Sequence, residues 1–400
     1  MSRGRDQGEI VCGFIPLTDC ATLVVAREFG FAAEEGVDLT LRREASWSNI
    51  RDKIALGLFD AAHMLAPMPL AMSLGLSAFD ARIDAPFVLS VNGDVIGVSE
   101  PLAARLRAAH GSAFFEDPAA AAAALRSATD RRPLRVGVPW LFSMHAILID
   151  YWLGRCGFDP ERDVALNVVP PPFMAEALAA GELDLFCVGE PWGSASVENG
   201  AGALLLAGPS IWRFAPEKVL GVARTLAEER PDALAALIRA LYRAADWASR
   251  PEHRGAVAEV LSAPDYVDAP AELIERALGG SLIVSGEGEL RQVPRALELF
   301  DAAATFPWRS QAAWIVERLA ERHGLGHGLA DGAGQVFRPD VYRAALAPLG
   351  ANLPTASAKI EGALSAATEV ASLGESLALG PDSFFDGAVF DPGSGNSPKN

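Results

Sequence analysis

Apolar residues in the first 200 positions follow two rhythms. Short dense runs, GEIVCGFIPL, VDLTLRRE and FDAAHML, are separated by stretches with apolar residues at three- and four-residue spacing, ATLVVAREFG and SNIRDKIALG. The dense runs predict strands and the spaced ones amphipathic helices, in the order strand, helix, strand, helix, strand. That order predicts a mostly parallel sheet with helices on its faces. Thr18 and Asp19 suit the N-cap of the first helix, which stops at Gly30.

The same order returns further on. LRVGVPW reads as a strand, SMHAILIDYWLGRCG as a helix, DVALNVVPPP as a strand entering a Pro-rich loop, FMAEALAAG as a helix and ELDLFCVGEPW as a strand. Setting Gly13 on Gly137 brings Asp60 onto Asp184, a shift of 124 positions in both cases (137 − 13 and 184 − 60). Two similar α/β lobes are predicted. FVLSVNGDVIGVS leaves the first lobe for the second with a bend at Asn92-Gly93, and GALLLAG followed by KVLGVART returns.

From RPDALAALIRALYRAADWAS onward the spacing is mainly helical, and the end, GPDSFFDGAVFDPGSGNSPKN, is polar and rich in Gly and Pro. The expected organisation is lobe one over 1–97 and 208–375 with the C-terminal helices, lobe two over 98–207, and a partly ordered tail over 376–400. Two lobes joined by two crossings make a hinged clamp, a form that closes over small ligands.

Composition narrows the function classes. The chain has 400 residues, more than one ordinary core needs. Half of them are hydrophobic, yet no run of about 20 apolar residues lacks charge, so no membrane span is expected. No secretory leader is recognisable at MSRGRDQGEIVCGF, and a cytoplasmic location is expected. A formal charge of −17 argues against nucleic-acid or anionic-membrane binding and requires any anion site to be built locally. Cys12, Cys20, Cys156 and Cys187 have no paired spacing and read as reduced thiols.

Ligands of such sheets bind beyond the carboxyl ends of the strands, where helices begin and offer N–H groups to anions. That places the loop at Thr18 and Asp19, the stretch with Trp47, then Ser143, His145, Pro170–Pro172 and Gly189–Trp192 at the cleft. Each has a plainer reading as well: Trp47 as a core anchor, His145 as a structural histidine, Glu190 as a helix cap. Lys218, one of only four lysines, is a surface residue by default, though its retention among arginines hints at a role for a compact ammonium.

No metal site is expected, since His323 and His327 in HGLGH are separated by a glycine-containing loop and lack a carboxylate motif. GxSxG, P-loop and GxGxxG motifs are absent from the sequence. An enzymatic role for Cys187 or His63 has no visible nucleophile–base pair behind it.

CGFIPLTDCATLVVAREFGF, REASWSNIRDKIALG, DAAHMLAPMPLAMSLG, VVPPPFMAEALAAGELDLFCVGEPW and PEKVLG together resemble the nitrate- and bicarbonate-binding proteins of ABC transporters. The resemblance runs from about residue 9 to VFRPDVYRAALAPLG, and FFDGAVFDP resembles the family's terminal segment. It implies an α/β, two-lobed type II periplasmic-binding-protein (Venus-flytrap) clamp with a mainly helical C-terminal part. Without a leader the chain is similar to the cytoplasmic branch, the NasS-type nitrate/nitrite sensors.

Such a sensor holds an RNA-binding antiterminator of the NasT type, with an ANTAR domain, and releases it when nitrate or nitrite binds. Contact with RNA is then the partner's, and no cofactor is implied. The same resemblance implies an alternative, the solute-binding component of a nitrate or bicarbonate ABC transporter.

Carried over residue by residue, Trp47 matches the family's ligand-facing tryptophan, His145 the histidine early in the lobe-two helix, Glu190 the glutamate of GEPW and Lys218 the lysine of PEK. Bicarbonate binders have an acidic residue at the lysine position, so Lys218 favours nitrate or nitrite. Asp94 stands where nitrate binders have a ligand-donating glutamine, a departure that an ionised carboxylate turns into repulsion.

Overall fold

The computed structural model describes residues 8–77, 79, 81–111, 115–129, 132–326, 329, 332 and 334–393. The strands that carry the architecture are β1 (Glu9–Phe14), β2 (Asp38–Arg43), β3 (Ala61–Leu65), β4 (Ile83–Asn92), β5 (Asp94–Ser99), β6 (Leu134–Val138), β7 (Val164–Val168), β8 (Leu185–Gly189), β9 (Gly202–Ala207) and β10 (Pro216–Ala223). One sheet runs in the order β4-β10-β3-β1-β2, with a short strand Leu297–Glu298 at the β4 edge; the other runs β7-β6-β8-β5-β9.

β3, β4, β5, β8, β9 and β10 are buried along their whole length, as strands covered on both faces must be. The sheets are mixed rather than mostly parallel. β1 runs parallel to β2 and β3, and β6 to β7 and β8, while β10 is antiparallel to β3 and β4 and β5 is antiparallel to β8 and β9. The crossing strands β5 and β10 enter each sheet from the other lobe, against the direction of its strand–helix repeats.

The repeat seen in the sequence is a repeat of contacts. β1 pairs with β3 through Cys12–Ala61 and Gly13–Ala62, and β6 with β8 through Val136–Leu185 and Gly137–Phe186, all shifted by the same 124 positions. A Cβ on Gly13 would stand 2.3 Å from Phe59 and 3.0 Å from Ile50; on Gly137 it would stand 2.5 Å from Leu183 and 2.8 Å from Met174, the shifted counterparts. The carboxylate of Asp60 accepts the Val11 N–H at 2.8 Å, and that of Asp184 accepts the Arg135 N–H at 3.0 Å. Each lobe thus needs a glycine where a helix and a loop press on its first strand, and a carboxylate that ties its first strand to its third.

The two crossings are tied to each other. Asn92 and Gly93, both at positive φ (59° and 103°), make the bend between β4 and β5. The Asn92 amide donates to the carbonyls of Arg213 at 3.0 Å and Arg295 at 2.9 Å and accepts the Ala215 N–H at 3.2 Å, so it holds the outgoing bend to the returning chain.

Beyond β10 the helices Pro231–Ser249 and Pro339–Leu346 join helix Ala21–Glu28 in one hydrophobic core on the large sheet. Helix Arg309–His323 reaches across to the lobe-two helix Met144–Arg155, where Tyr151 meets Trp314 edge-on at 5.6 Å. Residues 376–393, expected as a tail, pack down instead. Phe384 stacks on Trp212 at 4.8 Å and on Trp314 at 5.4 Å, and Asp386 accepts from the Tyr151 hydroxyl at 3.0 Å and pairs with Arg155 at 2.8 Å. The polar composition there hides two anchoring phenylalanines, Phe384 and Phe385, the second edge-on to Tyr151 at 6.1 Å. Residues 394–400 of the expected tail lie outside the described residues.

Candidate functional site

A cluster of buried polar side chains lies where the carboxyl ends of the strands of both lobes meet. At its centre Lys218, fully buried on β10, places its ammonium 2.7 Å from Asp19 Oδ2 and 2.7 Å from Glu217 Oε1. Asp19 Oδ1 lies 3.0 Å from His63 Nε2, and Glu217 Oε1 lies 3.2 Å from His145 Nδ1. The indole of Trp47 covers this group, its ring centroid 5.7 Å from the Lys218 ammonium and 5.7 Å from the His63 ring.

Trp47, just ahead of the predicted helix SNIRDKIALG, is the first residue of helix Trp47–Ala55. Ser46 is the N-cap, extended in backbone, and its hydroxyl accepts the Asn49 N–H at 3.3 Å. The cap directs the indole inward, where it is 1% exposed and joins the core while its Nε1 has no hydrogen-bond partner. Core anchor and cleft residue are here one position.

Thr18 and Asp19 do not cap with their side chains: they form a 3-10 turn, Thr18–Cys20, ahead of helix Ala21–Glu28. The Asp19 carboxylate is drawn instead to Lys218 and His63.

His145 is the second residue of helix Met144–Arg155, whose N-cap Ser143 accepts the Ala146 N–H at 3.1 Å. Its contact with Glu217 joins the two lobes. So do Thr18 N–H to the Glu190 carbonyl at 2.8 Å, Trp192 Nε1–H to the Pro16 carbonyl at 2.7 Å, and the Arg51 guanidinium over the Trp140 ring at 5.4 Å. The clamp is closed.

Glu190, expected to touch ligand, makes the contacts of the plainer reading, a helix cap. Its carboxylate accepts the Ser194 N–H at 3.1 Å and the Ser194 hydroxyl at 3.0 Å, closing the first turn of helix Trp192–Glu198. Asp94 begins β5 and is 1% exposed; its Oδ2 accepts the Cys187 thiol at 3.4 Å, and its Oδ1 has no partner. Gly208 makes the room, since a Cβ there would lie 2.2 Å from Asp94 Oδ1. Lys218 and Asp94 hold equivalent places in the two halves. Lys218 pairs in register with Leu65 and Asp94 with Gly189, again a shift of 124 (189 − 65).

Burial acts on every ionisable group of the cluster, and neighbours decide the outcome. It pushes Asp19 up, but the Lys218 ammonium and His63 outweigh it and hold the carboxyl well below its usual range. Burial pushes Glu217 up to about 8 against the pull of Lys218, and raises Asp94 against the Cys187 thiol and Lys218. It lowers His145, helped by the Lys218 charge, and lowers His63 against Asp19. Lys218 stays charged because Asp19 and Glu217 overcome its own desolvation. Cys187 is pushed well up by burial and then by Asp94, so it is a neutral thiol.

The cluster therefore combines a fixed ammonium, the Asp19 carboxylate that pairs with it, two imidazoles that burial keeps neutral, and the carboxyls of Glu217 and Asp94, which burial pushes toward the protonated form. Trp47 Nε1, His145 Nε2, Glu217 Oε2 and Asp94 Oδ1 are buried within it and have no protein partner for hydrogen bonding. Groups so placed offer donors and acceptors to a small polar ligand.

The structure adds Asp19 and Glu217 as charged partners of Lys218, and His63 beside Asp19. His63 had a signal, a lone histidine in the apolar run AAHML. Glu217 had none, because neighbours in a strand point to opposite faces; register shifts around Lys218 in its pairing with β4 bring the two side chains together. His323 packs on Phe142 at 5.4 Å, and His327 lies outside the described residues.

Known proteins share this architecture. The NMT1-like family matches residues 4–262. The nitrate/nitrite binding protein NrtA of Nostoc sp. is 30% identical over 395 residues, which cover 95% of this chain and 82% of that protein. The nitrate import ATP-binding protein NrtC of Synechocystis sp. is 33% identical over 355 residues, 87% of this chain but 51% of that protein, so the chain spans about half the length of that relative. The crystal structure of the periplasmic nitrate-binding protein NrtA from Synechocystis PCC 6803 superposes with a TM-score of 0.82 at 27% identity, covering 97% of this chain and 96% of that one. The chain belongs to the NMT1-like family and is a homologue of the NrtA-type binding proteins.

Proposed function

We propose that the chain binds nitrate or nitrite in the interlobe cluster and signals the binding by closure. The observation that carries this reading is the buried Lys218 ammonium beneath the Trp47 indole, facing His145 from the other lobe. A planar monoanion rich in acceptors suits a flat indole over its face and donors in its plane. One ammonium N–H is donated to Glu217 Oε1 at 2.7 Å and Asp19 Oδ2 stands 2.7 Å away as its counter-ion, so the ammonium keeps donor capacity for the ligand. Burial raises Asp94 toward its protonated form, the form that donates to an anion where an ionised carboxylate repels it. Glu190 shapes the wall through its helix and does not touch the ligand.

On this reading the chain is a NasS-type cytoplasmic sensor that sequesters an ANTAR-domain antiterminator and releases it on closure. No helix among the described residues is long and apolar enough to cross a membrane, which is compatible with that role. A second reading, the solute-binding component of a nitrate or bicarbonate ABC transporter, is favoured by the names of the relatives, a nitrate/nitrite binding protein and a nitrate import protein.

Titration calorimetry with nitrate, nitrite and bicarbonate tests the ligand, and capture of the antiterminator with and without nitrate tests the partner. Linkage requires that the partner weaken nitrate binding by the same factor by which nitrate weakens partner binding. Nitrate affinity indifferent to the partner overturns the sensor role and leaves the transport reading.

A further inference from the structure

Three carboxyl groups, Asp19, Glu217 and Asp94, share the buried cluster with two imidazoles, His63 and His145, and a single ammonium, Lys218. Were all three carboxyls ionised and both imidazoles neutral, the cluster would hold two uncompensated negative charges, and an incoming monoanion would make three. Buried charge of that kind is relieved by protonation. We infer that the cluster takes its anion together with a proton, and that the Glu217–His145 pair across the cleft holds that proton. This inference rests on the anion-binding reading above.

Geometry selects the pair. Asp19 is fixed as an anion between Lys218 at 2.7 Å and His63 at 3.0 Å and has no need of a proton. Asp94 accepts the Cys187 thiol at 3.4 Å and makes no hydrogen bond or ion pair with either imidazole. Glu217 Oε1 lies 2.7 Å from the ammonium and 3.2 Å from His145 Nδ1, while its Oε2 and both His145 nitrogens have no hydrogen-bond partner. A proton on this pair turns Glu217 from a repelling carboxylate into a neutral acid beside the anion. Because Glu217 comes from lobe one and His145 from lobe two, the pair is assembled only in the closed clamp.

The groups facing Glu217 come from every side: Lys218 on the same strand, Asp19 on the turn after β1, Asp94 on β5, Cys187 on β8 and His145 on the lobe-two helix. Burial sets the carboxyl at about 8, Lys218 opposing it and Asp94 and Asp19 adding to it. A bound anion adds one more negative neighbour and raises it further. The sign follows: above pH of about 8 the free protein has lost the proton that the complex keeps, so affinity falls as pH rises, by up to tenfold per pH unit.

The test uses the full chain and nitrate, which does not itself titrate near neutral pH. Calorimetry at pH 9 in two buffers of different ionisation enthalpy gives the protons taken up per nitrate, and Kd is compared between pH 7 and pH 9. We expect close to one proton at pH 9 and a Kd weakened about fivefold or more. In Glu217→Gln, whose amide is always neutral, uptake disappears and the ratio of the two Kd values approaches one.

Nitrate bound by the parent with equal heats in both buffers and a flat Kd overturns the inference while the binding reading stands. Uptake that persists in Glu217→Gln overturns the assignment to this pair. No nitrate binding at either pH overturns the binding reading itself.

Discussion

Replacing Lys218 with methionine separates what the ammonium does for the fold from what it does for the ligand. The side chain keeps its length and loses its charge. At ~4 Å and an effective dielectric of ~20, an ammonium attracts a monoanion by about 4 kcal/mol, roughly three orders of magnitude in affinity. Asp19 and Glu217 already share that charge at 2.7 Å each, so the expected loss in nitrate affinity is smaller, about 100-fold.

The same change strands Asp19, which is 3% exposed, beside a histidine that burial keeps neutral. Breaking a buried ion pair from one side costs about 3–5 kcal/mol of stability. Adding Asp19→Asn removes the stranded charge, and the double variant is expected to regain about 2 kcal/mol or more over Lys218→Met without regaining nitrate affinity. Denaturant unfolding measures the first quantity and calorimetry the second. A Lys218→Met protein that binds nitrate within threefold of the parent, or a double variant no more stable than the single one, refutes the reasoning.

Other changes probe other parts of the argument. Trp47→Ala is expected to cost about 3–5 kcal/mol because the indole is fully buried. Trp47→Phe is the more informative change, since it removes the unpartnered Nε1–H but keeps a ring, and should weaken nitrate binding about tenfold by calorimetry with a modest loss of stability. Gly13→Ala and Gly137→Ala should each destabilise by about 1–3 kcal/mol in urea, since each new methyl meets its neighbours at 2.5 Å or closer.

Arg135 and Arg132 hold the Asp184 carboxyl below its usual range against the opposing effect of burial. Its contribution is therefore present at neutral pH and is lost as pH falls below about 4, through the ordinary carboxylate range and beyond. Asp184→Asn should cost about 2 kcal/mol at pH 7, and its unfolding free energy should fall less than the parent's between pH 4 and pH 2.

Much of the clamp was legible because it is written in local periodicity. The two sets of strands and helices, the Asn92-Gly93 bend and the shift that carries Gly13 to Gly137 all show in short stretches of chain. The antiparallel entry of β5 and β10 did not, because direction within a sheet is a property of connections between lobes.

In the cluster, Trp47, His145 and Lys218 stood out by type and position, whereas the partners that set their charge states did not. Asp19, His63 and Lys218 are brought together by the sheet from far apart in the chain, and no spacing rule links them. Glu217 was hidden by strand alternation, which the irregular pairing around Lys218 breaks. Asp382 and Phe384 were lost in a stretch whose polar composition reads as a tail, although Asp382 binds the Lys359 ammonium and Phe384 stacks on Trp212.

Lys218 and Asp94 occupy equivalent positions in the two halves, and that equivalence sets an order of events. Lobe one owns the ammonium, its counter-ions and the covering indole; lobe two brings an imidazole and the buried Asp94 carboxyl to the same place. When the clamp opens, the anion's principal attraction stays with lobe one. Under the proposed function lobe one is thus the seat and lobe two the part that travels, so a partner that discriminates the occupied state must read where the His145 helix has been carried rather than the ligand beneath it.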